Sequence, residues 1–265
     1  MVTMLNKTKS NPMKKLLFRF IACMFSLLFF SCEEQEDVFS QRFYIDVKDV
    51  TVEATAYNKW HYFSFSQGKV VGVGNADLTT DAEWAERTDW DIAFTTLYVR
   101  LNGGTSSKKN AQGTAVEMTT LAGTDKQLVF NTIVGAPTNG TYTKDTKATG
   151  KAPLVIGRNP EVTYPGSYNS VVSSWISFNQ DVSNGGDYLS SRKTFVMKTA
   201  DGKYVKVILK SFLEGMTGLE PVEYVKDSET GENTEEIIPF TARKGIITFS
   251  YAYQPDGTDA LMTEK

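Results

Sequence analysis

The sequence predicts an all-β fold, a single domain of many antiparallel strands joined by long loops. Three observations carry that expectation. Apolar residues alternate with period two far more often than with period 3.6, so the chain presents sheet faces rather than helix stripes. Between those runs the turns are rich in Gly, Asp, Asn and Ser, the residues that supply tight hairpin geometry. No internal repeat separates a second domain, and about 230 residues are enough to bury one core.

At the N-terminus, Lys7, Lys9, Lys14, Lys15 and Arg19 stand without any acid before an apolar run from Phe20 to Phe30. A basic start, a short apolar stretch and the small Ser31 describe an export signal over residues 1–31, too short to span a bilayer. Because Cys32 follows Ser31, the expected product is a lipoprotein with Cys32 as its acylated N-terminus; an ordinary signal peptide cut nearby is the alternative. Residues 32–49 then form an acidic tether and first strand, and residues 50–265 the β domain. Cleavage leaves 23 basic and 31 acidic residues, a net charge of −8, which argues against nucleic acid or an anionic surface as partner. Cys23 leaves with the signal and Cys32 is acylated, so disulfides, thiolate catalysis and Cys-ligated metal sites drop out. With His61 as the sole histidine, a multi-histidine metal centre is also excluded, and a Ser-His-Asp triad would have to use that residue.

In YNKWHYFSFSQGKVVGVG, Trp60, Tyr62 and Ser64 share one strand face while His61, Phe63 and Phe65 share the other. Gln67-Gly68-Lys69 then turns the chain into a strand of valines, making a hairpin. A short helix is expected around Asp81 to Arg87, capped by Thr80 or Asp81. WDIAF follows as a half-buried strand, with Trp90, Ile92 and Phe94 on one face and Asp91 and Ala93 on the other. Residues 135–170, full of Gly, Pro, Thr and Asn, form a loop long enough to suggest function. KTFVMKTADGKYVKVILKSF is a hairpin with Asp201-Gly202 at its tip, where Gly202 supplies positive φ. Residues 214–236 hold eight acids against Lys226 and read as a solvated insertion reaching to about residue 242; the DSETGEN stretch lacks the ligand spacing of an EF-hand. The last strand, GIITFSYAYQ, sets Ile247, Phe249, Tyr251 and Tyr253 on one core face.

TVEATAYNKWHYFSFSQGKVV followed by WDIAFTTLYVRLNGGTSS resembles the N-terminal signature of the HmuY family, haem-binding surface lipoproteins of Bacteroidota. That signature is a W-x-Y-F-S-F-S-x-G-x-V-V hairpin, then W-D-[IM]-A-[FL] leading to R-x-N-x-G-x-S-G. SWISF through SSRKTFVMKTADGKYVKV and the closing KGIITFSYAYQPDG agree in the same order.

The resemblance implies an outer-membrane, lipid-anchored protein exposed at the cell surface, which grasps one haem at an open edge and delivers it to a TonB-dependent receptor. The acidic EEQED after Cys32 resembles a surface-export signal, with a merely solvated tether as the alternative. Two histidines usually ligate the iron, one in the long loop before the SWISF strand and one just after it. Aligned on Trp175 to Phe178, the second position falls on Gln180, and residues 135–170 contain no histidine. The expectation is therefore capture of haem or a related porphyrin without histidine ligation, with Tyr142, Tyr164, Gln180 and Tyr188 as contacts. Tyr168 lies close to the same inferred mouth, and no residue is assigned to a metal. His61 and Met197 are read as strand residues rather than ligands. A non-haem ligand such as a glycan, stacking on Trp60, Trp84, Trp90 and Trp175, is the competing reading. Carboxylates such as Glu86, Asp89 and Asp91 could pair for hydrolysis, but the sequence gives no separation between them and nothing else marks a catalytic constellation, so no enzyme is expected.

Overall fold

Strand pairing is antiparallel throughout the computed structural model, which describes residues 44–56, 59–74, 82–95, 98–118, 126–147, 166–179, 187–190, 193–213, 224–226, 229–230, 233–238 and 244–264. Strands are numbered in chain order. β1 (Val47–Glu53), β6 (Thr114–Glu117), β11 (Thr194–Lys198), β12 (Tyr204–Leu213) and β15 (Lys244–Tyr253) form a five-stranded sheet in the order β1-β15-β12-β11-β6. β2 (His61–Ser64), β3 (Lys69–Val73), β4 (Ile92–Phe94) and β5 (Val99–Leu101) form a second, ordered β3-β2-β4-β5.

The core lies between these two sheets. Register sets Val207 opposite Tyr251 and Leu209 opposite Phe249, so β12 and β15 turn one apolar face inward together. Phe63 of β2 meets Phe249 and Tyr251 with ring centroids 5.4 and 5.8 Å apart, and Phe94 of β4 meets Phe249 at 5.4 Å. Ile247, Phe249 and Tyr251 are buried as their alternation predicts, and Met197 is a core residue of β11. The opposite face of the large sheet is covered too. Helix Lys126–Thr132, which the sequence reading does not anticipate, lays Phe130 over Ile208 and Ala252.

WDIAF departs from the half-buried strand expected of it. Asp91 to Phe94 are all buried: Phe94 meets Phe249 of the large sheet, and on the other face Tyr62, the strand partner of Ala93, is covered by the short helix Ala82–Ala85. Trp84 of that helix stacks on Tyr62 at 4.0 Å and 5°. That cover lies just before the strand, six residues from Trp90, and the strand's own alternation does not register it.

Parts of the acidic segment are strand, which its composition does not signal. β13 (Tyr224–Lys226) and β14 (Asn233–Ile238) join β9 (Ile176–Asn179) and β10 (Asp187–Ser190) in a sheet ordered β13-β14-β10-β9. Glu235 and Glu236 weaken the local strand signal, but β10 supplies a backbone ladder, pairing Leu189 with Ile237 and Tyr188 with Ile238.

The Asp201-Gly202 tip is observed. Gly202 has φ of 84°, its N–H donates to Thr199 O at 3.0 Å, and β11 and β12 pair from Lys198–Tyr204 outward. Gly202→Val forces a β-branched side chain into that conformation, an expected loss of about 1–2 kcal/mol. A Cβ there meets the flexible end of Gln112, which can move, so the strain resides in the backbone. Thermal melting followed by circular dichroism checks this; an unchanged midpoint refutes it.

Candidate functional site

The RLNGG stretch places the candidate site without itself being the site. Arg100 lies buried with its guanidinium 3.8 Å over the Trp60 ring and donates to Tyr62 Oη at 3.2 Å. Asn102 Nδ2 donates to Arg87 O and Trp90 O, both at 2.9 Å, and Asn102 O accepts from Gly113 N at 2.8 Å. Asp91 Oδ2 accepts from Phe65 N at 2.8 Å and Oδ1 from Ala200 N at 3.1 Å, tying the first hairpin to the β11–β12 turn. Burial pushes the Asp91 carboxyl up, and those two backbone bonds oppose it. These motif residues are spent on joining β4, β5 and the turn beyond, and so fix the 3₁₀ turn Gly104–Ser106.

That turn backs the stem of the long loop. β7 (Thr146–Lys147) pairs with β8 (Ser167–Tyr168), and Thr143 bridges to Ala115 through bonds of 2.7 and 3.0 Å. Ser167 Oγ and Thr105 Oγ1 lie 2.8 Å apart. Asp145 sits beneath, its Oδ2 accepting from Ser106 Oγ at 2.6 Å and Leu101 N at 2.9 Å. Burial raises its pKa to about 7, against the lowering effects of Ser106, Leu101, Asn169 and the Arg100 charge. Asn169 Nδ2 crosses the stem to Thr143 O at 3.0 Å. Sequence reasoning missed Asp145 and Asn169, since in TYTKDTKATG an acid reads as one more solvated loop residue.

The expected contact residues do not gather into one group. Cys32, Tyr164 and Gln180 lie outside the described residues. Tyr188 falls on β10, opposite Phe178 and Ile238. Tyr142 stands on the outer face of the large sheet, 6.4 Å from Tyr204, while Tyr168 stands 5.7 Å from Tyr98 beside the main core. Tyr142 and Tyr168 thus flank the stem in separate apolar clusters.

A test of this donor set against iron gives a poor fit among the described residues. Burial and the neighbouring Tyr204 push the Tyr142 phenol up to about 12, so at neutral pH it offers a hydroxyl rather than a phenolate. His61 is half-buried in β2 with Nδ1 enclosed, and burial lowers its pKa. No group of three His, Cys, Asp or Glu able to hold a metal occurs among the described residues. The four tryptophans are buried at 0–4 % exposure, so none offers a ring to a glycan. The carboxylates considered for hydrolysis are engaged separately: Glu86 with Lys108 and Lys109 at 3.3 Å each, Asp89 with Arg87 at 2.5 Å, and Asp91 as described.

Comparison with known proteins places these features in a family. The model of the HmuY protein family matches residues 56–224, more than half of the chain. No curated protein matches it in sequence. Among solved structures, a protein described as a candidate lipoprotein from Bacteroides fragilis is 20% identical, with a TM-score of 0.49 over 79% of this chain and 92% of the other. An HmuY-like haem-binding protein from Bacteroides vulgatus is 22% identical, with a TM-score of 0.48 over 77% and 90%. The apo HmuY analog of Tannerella forsythia is 20% identical, with a TM-score of 0.46 over 79% and 96%.

Proposed function

Because the chain belongs to the HmuY family, we propose that it is a cell-surface lipoprotein that captures haem or a related porphyrin and passes it to a TonB-dependent outer-membrane receptor. The family match over residues 56–224 is the observation that carries this reading, since it spans the first hairpin, the stem and the β11–β12 hairpin. The protein acts as a binding protein rather than an enzyme. Its anchor is the lipid on Cys32, and its contacts with the macrocycle come from Tyr142, Tyr164, Gln180 and Tyr188. Residues 1–31 are the signal, 32–49 the tether with the start of the first strand, and 50–265 the rest of the binding domain.

Capture without an axial histidine rests on burial of the porphyrin faces. An amide at Gln180 is a poor iron ligand, and the Tyr142 phenol keeps its proton at neutral pH. Apolar burial at about 25 cal/mol per Å² can still reach a micromolar Kd, on the order of −8 kcal/mol. Titration of the purified protein should therefore show metal-free porphyrin binding almost as tightly as haem, with His61→Ala indistinguishable from wild type. A histidine-ligated haem spectrum that disappears in His61→Ala refutes this mode of ligation. No binding of haem or porphyrin refutes the function itself and returns the protein to a non-haem ligand.

The anchor has its own test. Cells fed radioactive palmitate should label wild-type protein and not Cys32→Ala, and a protease added to intact cells should digest the labelled form. Unlabelled, soluble wild-type protein overturns the lipoprotein assignment, and labelled protein resistant to protease overturns surface exposure.

A further inference from the structure

Asn-Gly dipeptides stand at Asn102-Gly103, Asn139-Gly140 and Asn184-Gly185, and the last lies outside the described residues. The fold treats the other two in opposite ways. Asn102 is 0% exposed, its Nδ2 donates to Arg87 O and Trp90 O at 2.9 Å each, and the N–H of Gly103 donates to Leu101 O at 2.8 Å. Asn139 is exposed in the bent stretch that carries the chain from Ala136 to Tyr142. Among the described residues no hydrogen bond holds its side-chain amide, and the Gly140 N–H donates to no backbone carbonyl.

That difference has a chemical consequence. The main-chain nitrogen after an asparagine attacks the side-chain amide when it is free to lose its proton, when no Cβ crowds the approach, and when the side chain can swing over it. Gly140 meets the first two requirements and the exposure of Asn139 meets the third. Gly140 N gives its proton to water and bonds to Asn139 Cγ; the Cγ–Nδ2 bond breaks, ammonia leaves, and a cyclic imide closes. Water then opens the ring. Its addition at Cγ gives aspartate, and its addition at the main-chain carbonyl carbon gives isoaspartate, in which the chain runs through the side chain. The balance is amide plus water to acid plus ammonia, with no change in oxidation state. At Asn102 the same attack needs the amide to leave two carbonyls inside the core and Gly103 N to part from Leu101 O, so it waits on a local opening of the fold.

We infer that Asn139 is a modification site of the folded protein, where the Gly140 nitrogen converts the asparagine to isoaspartate and aspartate without an enzyme, and that the fold keeps Asn102 as asparagine. This holds whatever the protein captures. Isoaspartate lengthens the main chain by a methylene, and the turn has little room for it. Ala136 N is held by Asp259 O at 2.8 Å and Thr143 N by Ala115 O at 2.7 Å, while a Cβ on Gly140 would stand 3.2 Å from Pro137 Cβ and 3.5 Å from Val116 Cγ2. The displacement therefore falls on Tyr142, whose ring stands 6.4 Å from that of Tyr204 on the outer face of the large sheet.

The test is incubation of the protein at neutral and mildly alkaline pH, in native buffer and in concentrated guanidinium chloride, followed by peptide mapping with mass spectrometry. In native buffer Asn139 should convert within about threefold of its rate in denaturant, and Asn102 at least about tenfold more slowly than in denaturant, the factor expected when attack waits on a local opening. Conversion at Asn139 should quicken as pH rises, because the attacking nitrogen is the deprotonated one. The acidic fraction recovered by anion exchange, which holds the isoaspartate form, should show a weaker near-ultraviolet tyrosine circular dichroism signal than Asn139→Asp, which carries the same charge on an ordinary main chain. A native chain in which folding slows Asn139 as strongly as Asn102, or in which Asn102 converts as fast as Asn139, overturns the assignment. An acidic fraction rich in isoaspartate with the spectrum of Asn139→Asp overturns the displacement of Tyr142.

Discussion

Gly103→Ala is expected to lower the melting temperature by roughly 10 °C, a large effect for one added methyl group. Its φ of −176° is extended backbone open to any residue, so conformational strain is not the cause. Space is. A Cβ on Gly103 would stand 2.1 Å from Gly113 O and 2.7 Å from Gly113 N, and both are backbone atoms held by the Asn102–Gly113 hydrogen bond and the Gly103–Gln112 bridge. Neither can swing aside as a side chain would. Relief requires parting β5 from residues 111–113 and loosening the Gly104–Ser106 turn, a loss of about 3 kcal/mol or more. The comparison with Gly202→Val is direct, since there the crowded neighbour is a flexible glutamine end. Melting curves of both variants check the ranking, and a Gly103→Ala midpoint within about 2 °C of wild type would falsify the packing argument.

Stability should rise between about pH 8 and pH 10, on the order of 3 kcal/mol if the full titration of Lys206 is spanned, and Lys206→Met should abolish the rise. Lys206 lies on the outer face of the large sheet at 0% exposure, its Nζ donating to Phe130 O, Ile133 O and Thr263 Oγ1 at 3.0–3.1 Å. Its three partners are uncharged. The carbonyls stand at the C-terminal end of the helix Lys126–Thr132, where a cation is favoured, yet burial still lowers the Lys206 pKa from 10.5 to about 8. Between those values the unfolded chain binds the proton and the folded one does not, so unfolding becomes less favourable as pH rises. Below about pH 8 both states hold the proton and the penalty is complete.

Denaturant titrations from pH 7 to 9.5 are the measurement. That window stays clear of the buried tyrosines, whose raised pKa values make the folded state lose ground above pH 10, and of Asp145, which acts below about pH 7 with the opposite slope. A wild-type stability that is level or falling from pH 8 to 9.5 would show that the folded chain keeps the Lys206 proton, its hydrogen bonds outweighing its burial.

The candidate site was legible only in outline. The length and composition of residues 135–170 pointed to a functional loop, and the structure shows its stem, with Tyr142 and Tyr168 on either side. The residues that hold the stem were not legible. Asp145 between lysines and threonines, and Asn169 beside serine and tyrosine, have the local chemistry of solvated loop residues.

By itself the sequence determined what depends on near neighbours. Alternation selected the inward faces of β12 and β15, since side chains two apart share a sheet face wherever the strand ends up. The requirement for positive φ marked Gly202 as the hairpin tip, because turn geometry is settled within four residues. Tertiary structure alone decided which polar residues are inside. Lys206 between two valines reads as solvent-facing, and it is buried only because a helix from more than 70 residues earlier covers it. WDIAF is buried on both faces because the neighbouring strand residue Tyr62 is itself covered by Trp84, a pairing that the strand's own alternation does not show. A side chain's burial depends on what packs over it, and when that cover comes from a distant segment no local pattern encodes it.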